Sequence, residues 1–402
     1  MSLEDLLTAP SLTADQNGIL EVIQLAHDEH ISLKYPVSGD WRNPIHFLEN
    51  TDSSTKAIVF YTVSTEINAH IALVSKDKQG WILVGELVGD GPEVNSVQIL
   101  QGTDENLLIE WGAVNQINRR LVIYYISPDG LKIGFKEECS DIIMKDFNNR
   151  QTLDFLYVTA NQPNEPFKLV YVSGNNDTYT VQSEIPLNIE MDALLKLQYE
   201  ELDDNSYNVF VDERIGGNRV STEVFKLMNS RLESMTSEQD YDTFQLFLRT
   251  SPLISRNFYN INSRAFVVPS DTAPRETIAE ETLWNYWYNL KDGNLGYSFA
   301  SYVNIPLNFN VGIPDSWLDS VVIEEDKDEQ RLFRFYKLQT GEILFEIKVL
   351  RVEEKTIEYT DDGFLNIGVG IGGIYRYMYR SYEGCDLSSL AYITNHFYSV
   401  IG

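Results

Sequence analysis

Apolar and polar residues change their period twice along the chain. From Thr13 to about residue 28, Ile19, Leu20, Ile23 and Ala26 recur at helical spacing, which predicts an amphipathic helix. Thr13 and Gln16 stand at capping-box separation, where each side chain satisfies a backbone N–H that the first turn leaves open. From about residue 31 the period falls to two. The runs KAIVFYTV, HIALVS, GWILVGEL, NLLIEWG, RLVIYYIS, LDFLYVT and FKLVYVS are rich in β-branched and aromatic residues and are bounded by Gly, Asn, Asp or Pro. They read as strands, and helical periodicity is nearly absent as far as residue 190.

These strands fall into groups of four. PIHFL, AIVFYTV, AHIALVSK and GWILVGEL form the first, and VNSVQIL, NLLIEWG, RLVIYYIS and LKIGFKE the second. DIIMK, LDFLYVT, FKLVYVS and TYTVQSEI form the third. A fourth starts at LLKLQYEEL and fades near residue 235. Ala57, Leu107, Asp154, Asn208 and Ala265 occupy matching places, about 50 residues apart. Four antiparallel strands at that period predict a mainly β chain, a degenerate β-propeller of four-stranded blades. A single sandwich is the runner-up, and it does not call for such grouping.

Residues 236–282 break the pattern. LWNYWYNL then returns to strand, with Trp284, Tyr286 and Tyr288 on one face and Trp287 on the other. That cluster reads as blade core or an interface plug, with a sugar-stacking platform as the alternative. RLFRFYKLQTGEILFEIKVLR is a hairpin joined by a Gly-containing turn. Asp386 as N-cap and an apolar stripe over Leu387, Leu390, Ile393, Phe397 and Val400 predict a closing helix. The expected organisation is a leader and helix over 1–30, a propeller-like domain over 31–296, and a small α+β domain over 297–402.

Charge narrows the function. Sixty acidic against 31 basic residues give a net charge of −29 over 402 residues. Such a field repels phosphates and anionic lipid, which argues against nucleic acid as a partner. Cys139 and Cys385 are too few for a disulfide scaffold and read as lone buried thiols. No apolar window is long enough to span a membrane. No export signal is present, so an extracytoplasmic location requires that it was removed before Met1.

The candidate chemistry lies in DIIMKDFNNRQTLDFLYV, residues 141–158. Asp146, Asn148 and Asp154 put oxygen side chains at positions 1, 3 and 9 of a loop between two strands, a spacing suited to Ca²⁺. The loop resembles the Asp-x-Asp/Asn-x-Asp-Gly-x-x-Asp calcium loop of FG-GAP (VCBS-type) propeller repeats. That resemblance implies an extracytoplasmic propeller with one such loop per blade. Arg150 and Gln151 stand where the family has an acid and a glycine. The copies at Glu49–Ala57, Thr103–Asn106, Asp203–Asn205 and Asn257–Asn262 keep fewer oxygens. The reading is a set of loops that lost their metal and kept their turns, with calcium the one cofactor in play. The layout also resembles predicted lipoproteins of Gram-positive gut bacteria, through the N-terminal helix, LKYPVSGDWRNP, LRTSPLISR and ASYVNIPLNFNVGIPDSW. This implies a cell-surface location, with any lipid anchor outside the sequence in hand.

Catalytic signatures are poor. His27, His30, His46, His70 and His396 have no flanking nucleophile motif, and no G-x-S-x-G occurs. His27 and His30 read as a helix C-terminal pair rather than ligands. The glycines of GVGIGG, Gly368 to Gly373, lack the lysine and helix of a phosphate loop. The expectation is a non-enzymatic binding or scaffold protein for an unknown protein or glycan. A glycan-active hydrolase using propeller carboxylates and a calcium-dependent adhesion module are the alternatives.

Overall fold

In a computed structural model of the chain, the described residues are 13–48, 55–100, 106–112, 118–127, 129–160, 165–175, 178–188, 191–215, 219–235, 256–257, 266–270, 284–291, 294–304, 306–326, 331–352, 363–369, 373–382 and 397–398. They are mainly β. The chain divides into two compact units, Met1–Ile189 with Leu227–Glu233 and Glu190–Lys226 with Ser234–Gly402.

Helix α1 (Ala14–Ala26) starts as its spacing predicts. Thr13 Oγ1 accepts the Gln16 N–H, and the Gln16 side chain accepts the Thr13 N–H. Ile19 and Ile23 are fully buried and pack with Ala57, Val59 and Tyr61 of the first sheet. The helix therefore packs within the first unit.

Six strands follow: β1 (Ile31–Leu33), β2 (Ser38–Gly39), β3 (Ile45–Phe47), β4 (Thr55–Val63), β5 (Ala69–Lys76) and β6 (Trp81–Val88). All but β2 make one antiparallel sheet, in which β1 and β3 share an edge of β4. The alternation of β4 buries both of its faces. Val59 and Tyr61 meet the helix, while Ile58 and Phe60 meet Val97, Leu107, Ile109 and Trp111 of the next sheet.

That next sheet corrects the expected grouping. It contains β7 (Val94–Ile99), β8 (Asn106–Trp111), β9 (Arg119–Ser127), β10 (Gly130–Lys145), β11 (Asp154–Thr159), β12 (Lys168–Asn175) and β13 (Thr178–Pro186), and β2 joins it in parallel beside β7. LKIGFKE and DIIMK are one strand, not the end of one group and the start of another. FKEECSDII offers no Gly or Pro to stop it, and only a bulge at Cys139–Asp141 marks the join. β10 pairs with β9 through Gly130–Cys139 and with β11 through Cys139–Lys145. Two four-stranded meanders thus share a strand. Leu108, Leu121 and Ile123 of the first pack with Phe155, Tyr157 and Val170 of the second.

Three further sheets follow. β14 (Met191–Glu201), β15 (Tyr207–Ile215), β16 (Arg219–Met228) and β17 (Arg231–Ser234) form a four-stranded sheet. β18 (Arg256–Asn257), β19 (Phe266–Ser270), β20 (Trp284–Lys291), β21 (Asn294–Asn304) and β22 (Phe309–Ile313) belong to another. A third holds β23 (Val321–Glu325), β24 (Leu332–Lys337), β25 (Ile343–Arg351), β26 (Leu365–Val369) and β27 (Tyr375–Ser381). Phe210 and Val224 pack on Trp284, Tyr286 and Tyr288, and Phe309 and Val311 pack on Phe333, Phe335 and Ile347. The β14–β17 sheet thus lies against the β18–β22 sheet, and that sheet against the β23–β27 sheet, the stacking that propeller blades use. The 284–288 aromatics are buried core. Trp287, on the opposite face, stacks on Phe299 at 5.7 Å and donates to Ser301.

Two expected boundaries move. β21 runs unbroken through residues 296 and 297, so the strand pairing carries the sheet across the proposed domain limit. Of the predicted closing helix, only Phe397 is among the described residues, and Phe397–Tyr398 is a strand, β28, paired with β22; Val400 lies outside them. Residues 383–396 lie outside the described residues, as do 1–12 and the loop copies at 49–54 and 101–105.

Candidate functional site

The loop between β10 and β11 is held by the side chains that the sequence singles out. Asp146 accepts the N–H of Arg150 at 3.0 Å and of Gln151 at 2.7 Å. Two left-handed residues, Asn149 (φ 56°) and Gln151 (φ 61°), turn the chain back under it. Asp154 is fully buried. One of its oxygens accepts the Phe147 N–H at 3.2 Å and the Tyr171 hydroxyl at 2.8 Å, and the other accepts the Gly174 N–H at 3.0 Å. Burial pushes the Asp154 carboxyl above its ordinary range, against the pull of Tyr171, Gly174, Ser173 and Phe147. Burial and the neighbouring carboxylate raise Tyr171 as well. Gly174 is required for this approach, because a Cβ there would sit 2.4 Å from the Leu153 carbonyl oxygen.

The oxygens of these residues are turned to donors of the protein itself. Ca²⁺ takes six to eight oxygens with lone pairs directed at it. All four carboxylate oxygens of Asp146 and Asp154 instead face N–H or O–H donors. Asn148 directs its amide nitrogen at Ser173 Oγ, 3.2 Å away, and only its buried side-chain carbonyl oxygen accepts nothing. Among the described residues no three His, Cys, Asp or Glu converge as ligands would.

The structure assembles two polar constellations that the sequence left scattered. His27, the C-cap of α1, places Nε2 3.1 Å from the Tyr61 hydroxyl and 3.2 Å from Glu86. Tyr61 donates to the same Glu86 oxygen at 2.7 Å, and His70 meets Glu66 at 3.0 Å. Burial and Glu86 push the Tyr61 phenol up. These residues come from a helix end, three strands and a turn, so no local motif joins them. The helix-end reading of His27 holds, but its partners are side chains.

The second constellation is a cross-strand ladder. Arg334, Glu346 and Arg380 are register partners on β24, β25 and β27. Glu346, 1% exposed at its side chain, accepts from Arg334 at 3.0 Å, from Arg380 at 2.9 Å and from Tyr382 at 2.7 Å. Burial raises its carboxyl, but Tyr382 and the two guanidiniums outweigh that and hold it below the usual range. Arg334 also pairs with Asp326, and Arg380 stacks on Phe364. Near this sheet a cleft of about 250 Å³ is lined by Trp317, Ser320, Lys337, Gln339 and Thr340 together with Val321 and Leu344. Of the two cysteines Cys385 lies outside the described residues, and Cys139 is buried, which pushes its thiol up to about 12.

No protein-family model matches the chain, and no curated protein matches it in sequence. Solved structures similar to it include Sqt1 of Saccharomyces cerevisiae, at 9% identity and TM-score 0.32, covering 88% of this chain and 98% of that one. An exo-β-1,3-galactanase of Phanerochaete chrysosporium is 12% identical with TM-score 0.28, covering 92% of each chain. A levansucrase mutant of Bacillus subtilis is 9% identical with TM-score 0.25, covering 76% and 88%. Likeness at this level carries no argument about activity.

Proposed function

We propose that this chain is a non-enzymatic binding or scaffold protein acting outside the cytoplasm, built on degenerate FG-GAP-like repeats and related to cell-surface lipoproteins. One observation carries the reading: the carboxylates of the β10–β11 loop and of the cross-strand ladder are engaged in holding the chain. Asp146 and Asp154 accept backbone amides and a phenol, and Glu346 accepts two guanidiniums and a second phenol. Carboxylates so bonded fix turns and strand pairs. The net charge of −29 favours neutral or cationic partners over polyanions.

The Trp317 cleft supports a glycan as one ligand class. It sets an indole beside hydroxyl, amide and ammonium groups, the mixture that holds a polyol ring. The test places a panel of soluble glycans on the immobilised chain and reads retention and newly formed reducing ends in the same wells. Retention that is lost in the Gln339→Ala/Thr340→Ala variant, with no reducing ends formed, is the expected result. Reducing ends above those of a heat-inactivated sample would replace this reading with that of a glycan-active hydrolase.

A further inference from the structure

We propose that the Trp317 cleft holds a single uncharged sugar ring, and that the Lys337–Glu342 pair on its rim excludes sugars bearing a carboxylate. This deepens the glycan reading above and rests on it.

The walls of the cleft are backbone held by its own hydrogen bonds. Trp317 ends a turn of 3-10 helix (Asp315–Trp317), and its N–H donates to the Pro314 carbonyl at 2.9 Å. Its indole is 8% exposed and packs on Phe345 at 5.7 Å, which makes an apolar floor with Val321 and Leu344. Ser320 forms one rim, and the Leu338 N–H ties it to the other by donating to the Ser320 carbonyl at 2.8 Å. That other rim is the turn between β24 and β25. It is closed by the Gly341 N–H on the Lys337 carbonyl at 2.8 Å and the Lys337 N–H on the Glu342 carbonyl at 2.9 Å. Gly341 takes φ 69°, and a Cβ on it would meet nothing within 4 Å, so the turn stands in open space. A rim set in advance loses little freedom when a ligand arrives.

Size and charge select the ligand. A volume of about 250 Å³ falls below the ~300–1,000 Å³ of sites for drug-sized molecules, so the cleft suits one ring rather than a chain laid along it. Three uncharged polar groups stand on the rims. Thr340 Oγ1 accepts the Glu342 N–H at 3.3 Å and keeps its own proton to donate. Ser320 Oγ donates to the Ser316 carbonyl at 2.9 Å and keeps lone pairs to accept. Gln339, exposed beside Thr340, carries both a donor and an acceptor. Sugar hydroxyls give and take hydrogen bonds alike, so a polyol ring matches this mixture above an apolar floor. The charged group among the described lining residues is Lys337, and Glu342 holds its ammonium at 2.8 Å, each side chain 41% exposed. A carboxylate on the sugar would compete with Glu342 for that ammonium, in the field of a chain of net charge −29. A cationic ring would meet the ammonium itself.

The test uses the full chain and the methyl glycosides of glucose, galactose and mannose, each beside its 6-carboxylate, in calorimetric titrations. At least one neutral glycoside is expected to bind, at least about fivefold tighter than its carboxylate, the factor that one charge contributes at short range in water. Glu342→Gln removes a charge from an exposed pair that adds little to stability. It is expected to leave the neutral glycoside within about twofold and to tighten the carboxylate at least about fivefold. Gln339→Ala/Thr340→Ala, whose fold is checked by circular dichroism, is expected to weaken the neutral glycoside at least about tenfold. Three results overturn the proposal: a carboxylate bound as tightly as its neutral parent, an unchanged preference in Glu342→Gln, or neutral binding that survives Gln339→Ala/Thr340→Ala. Polymeric glycans retained in the earlier assay with no glycoside bound would overturn the single-ring proposal and leave the glycan reading standing. Binding of neither would remove both.

Discussion

Asp154 shows how one side chain does work that the sequence suggested for a metal. Its carboxylate closes the β10–β11 loop from inside, collecting donors from Phe147, Tyr171 and Gly174. Asp154→Ala leaves three buried donors without an acceptor, and each costs about 1–3 kcal/mol. The variant is expected to lose about 3 kcal/mol or more in urea unfolding, while Asp146→Ala, at the exposed end of the loop, loses about 1 kcal/mol. Glu346 gives the pH-dependent counterpart. Its folded-state carboxyl lies below the ordinary value, so the stability it contributes is present above about pH 4.3 and is lost as pH falls through the folded value. Glu346→Gln is expected to cost about 3 kcal/mol near neutrality, because two guanidiniums lose their buried counter-charge. That gap from the parent protein narrows below about pH 4.3 and closes as pH falls through the lower folded-state value. Denaturant midpoints of the two proteins across pH 3–8 measure it, and a gap independent of pH would refute the account.

At the scale of elements, the helix and the strands owe their stability to opposite faces of the same sheet. α1 is short, and an isolated helix of this length is marginal in water. Burial of Ile19 and Ile23 against β4 holds it in place. Ile23→Ala is therefore expected to cost about 2–4 kcal/mol, and Thr13→Ala, which removes the cap, about 1 kcal/mol. Equilibrium unfolding in urea reads both, and the change in tryptophan emission that Trp81→Phe removes isolates the helix contact, since Trp81 packs in the same cluster and its indole nitrogen bonds Asp15. The element scale also shows where local patterning stops being informative. β10 carries no Gly or Pro near its middle, and its apolar pattern lapses there, so sequence alone divides it as readily as it joins it. Whether LKIGFKE and DIIMK are two strands or one depends on which neighbours each half finds, β9 for one and β11 for the other.

Across the whole molecule, net charge is the dominant long-range term. At −29 the folded chain repels itself, and salt screens that repulsion over about 10 Å at 0.1 M. Melting temperature is expected to rise by several degrees between about 10 and 150 mM NaCl. Calorimetry in the two buffers checks this, and a fall would mean that ion pairs such as Lys34–Glu93 and Lys136–Asp90 outweigh the net field. Such surface pairs are each worth well under about 1 kcal/mol, which is why repulsion is expected to win.

The sequence by itself determined what short-range rules control. Period-two alternation gave the strands, because a pleated chain with one or both faces buried must alternate. The Thr13–Gln16 spacing gave the helix start, and the recurrence near 50 residues gave the meander grouping. It also placed Trp284, Tyr286 and Tyr288 on one face opposite Trp287, as found. Tertiary structure alone decided the rest. The oxygens of Asp146, Asn148 and Asp154 have calcium-loop spacing, yet the Gly174 and Tyr171 donors that occupy Asp154 arrive from the next strand, beyond any local window. His27, Tyr61 and Glu86 meet only because α1 packs across β4 and β6. That β26 pairs among the described residues with β27 alone is likewise invisible in LNIGV, because a strand's neighbours are set by the fold and not by its own sequence.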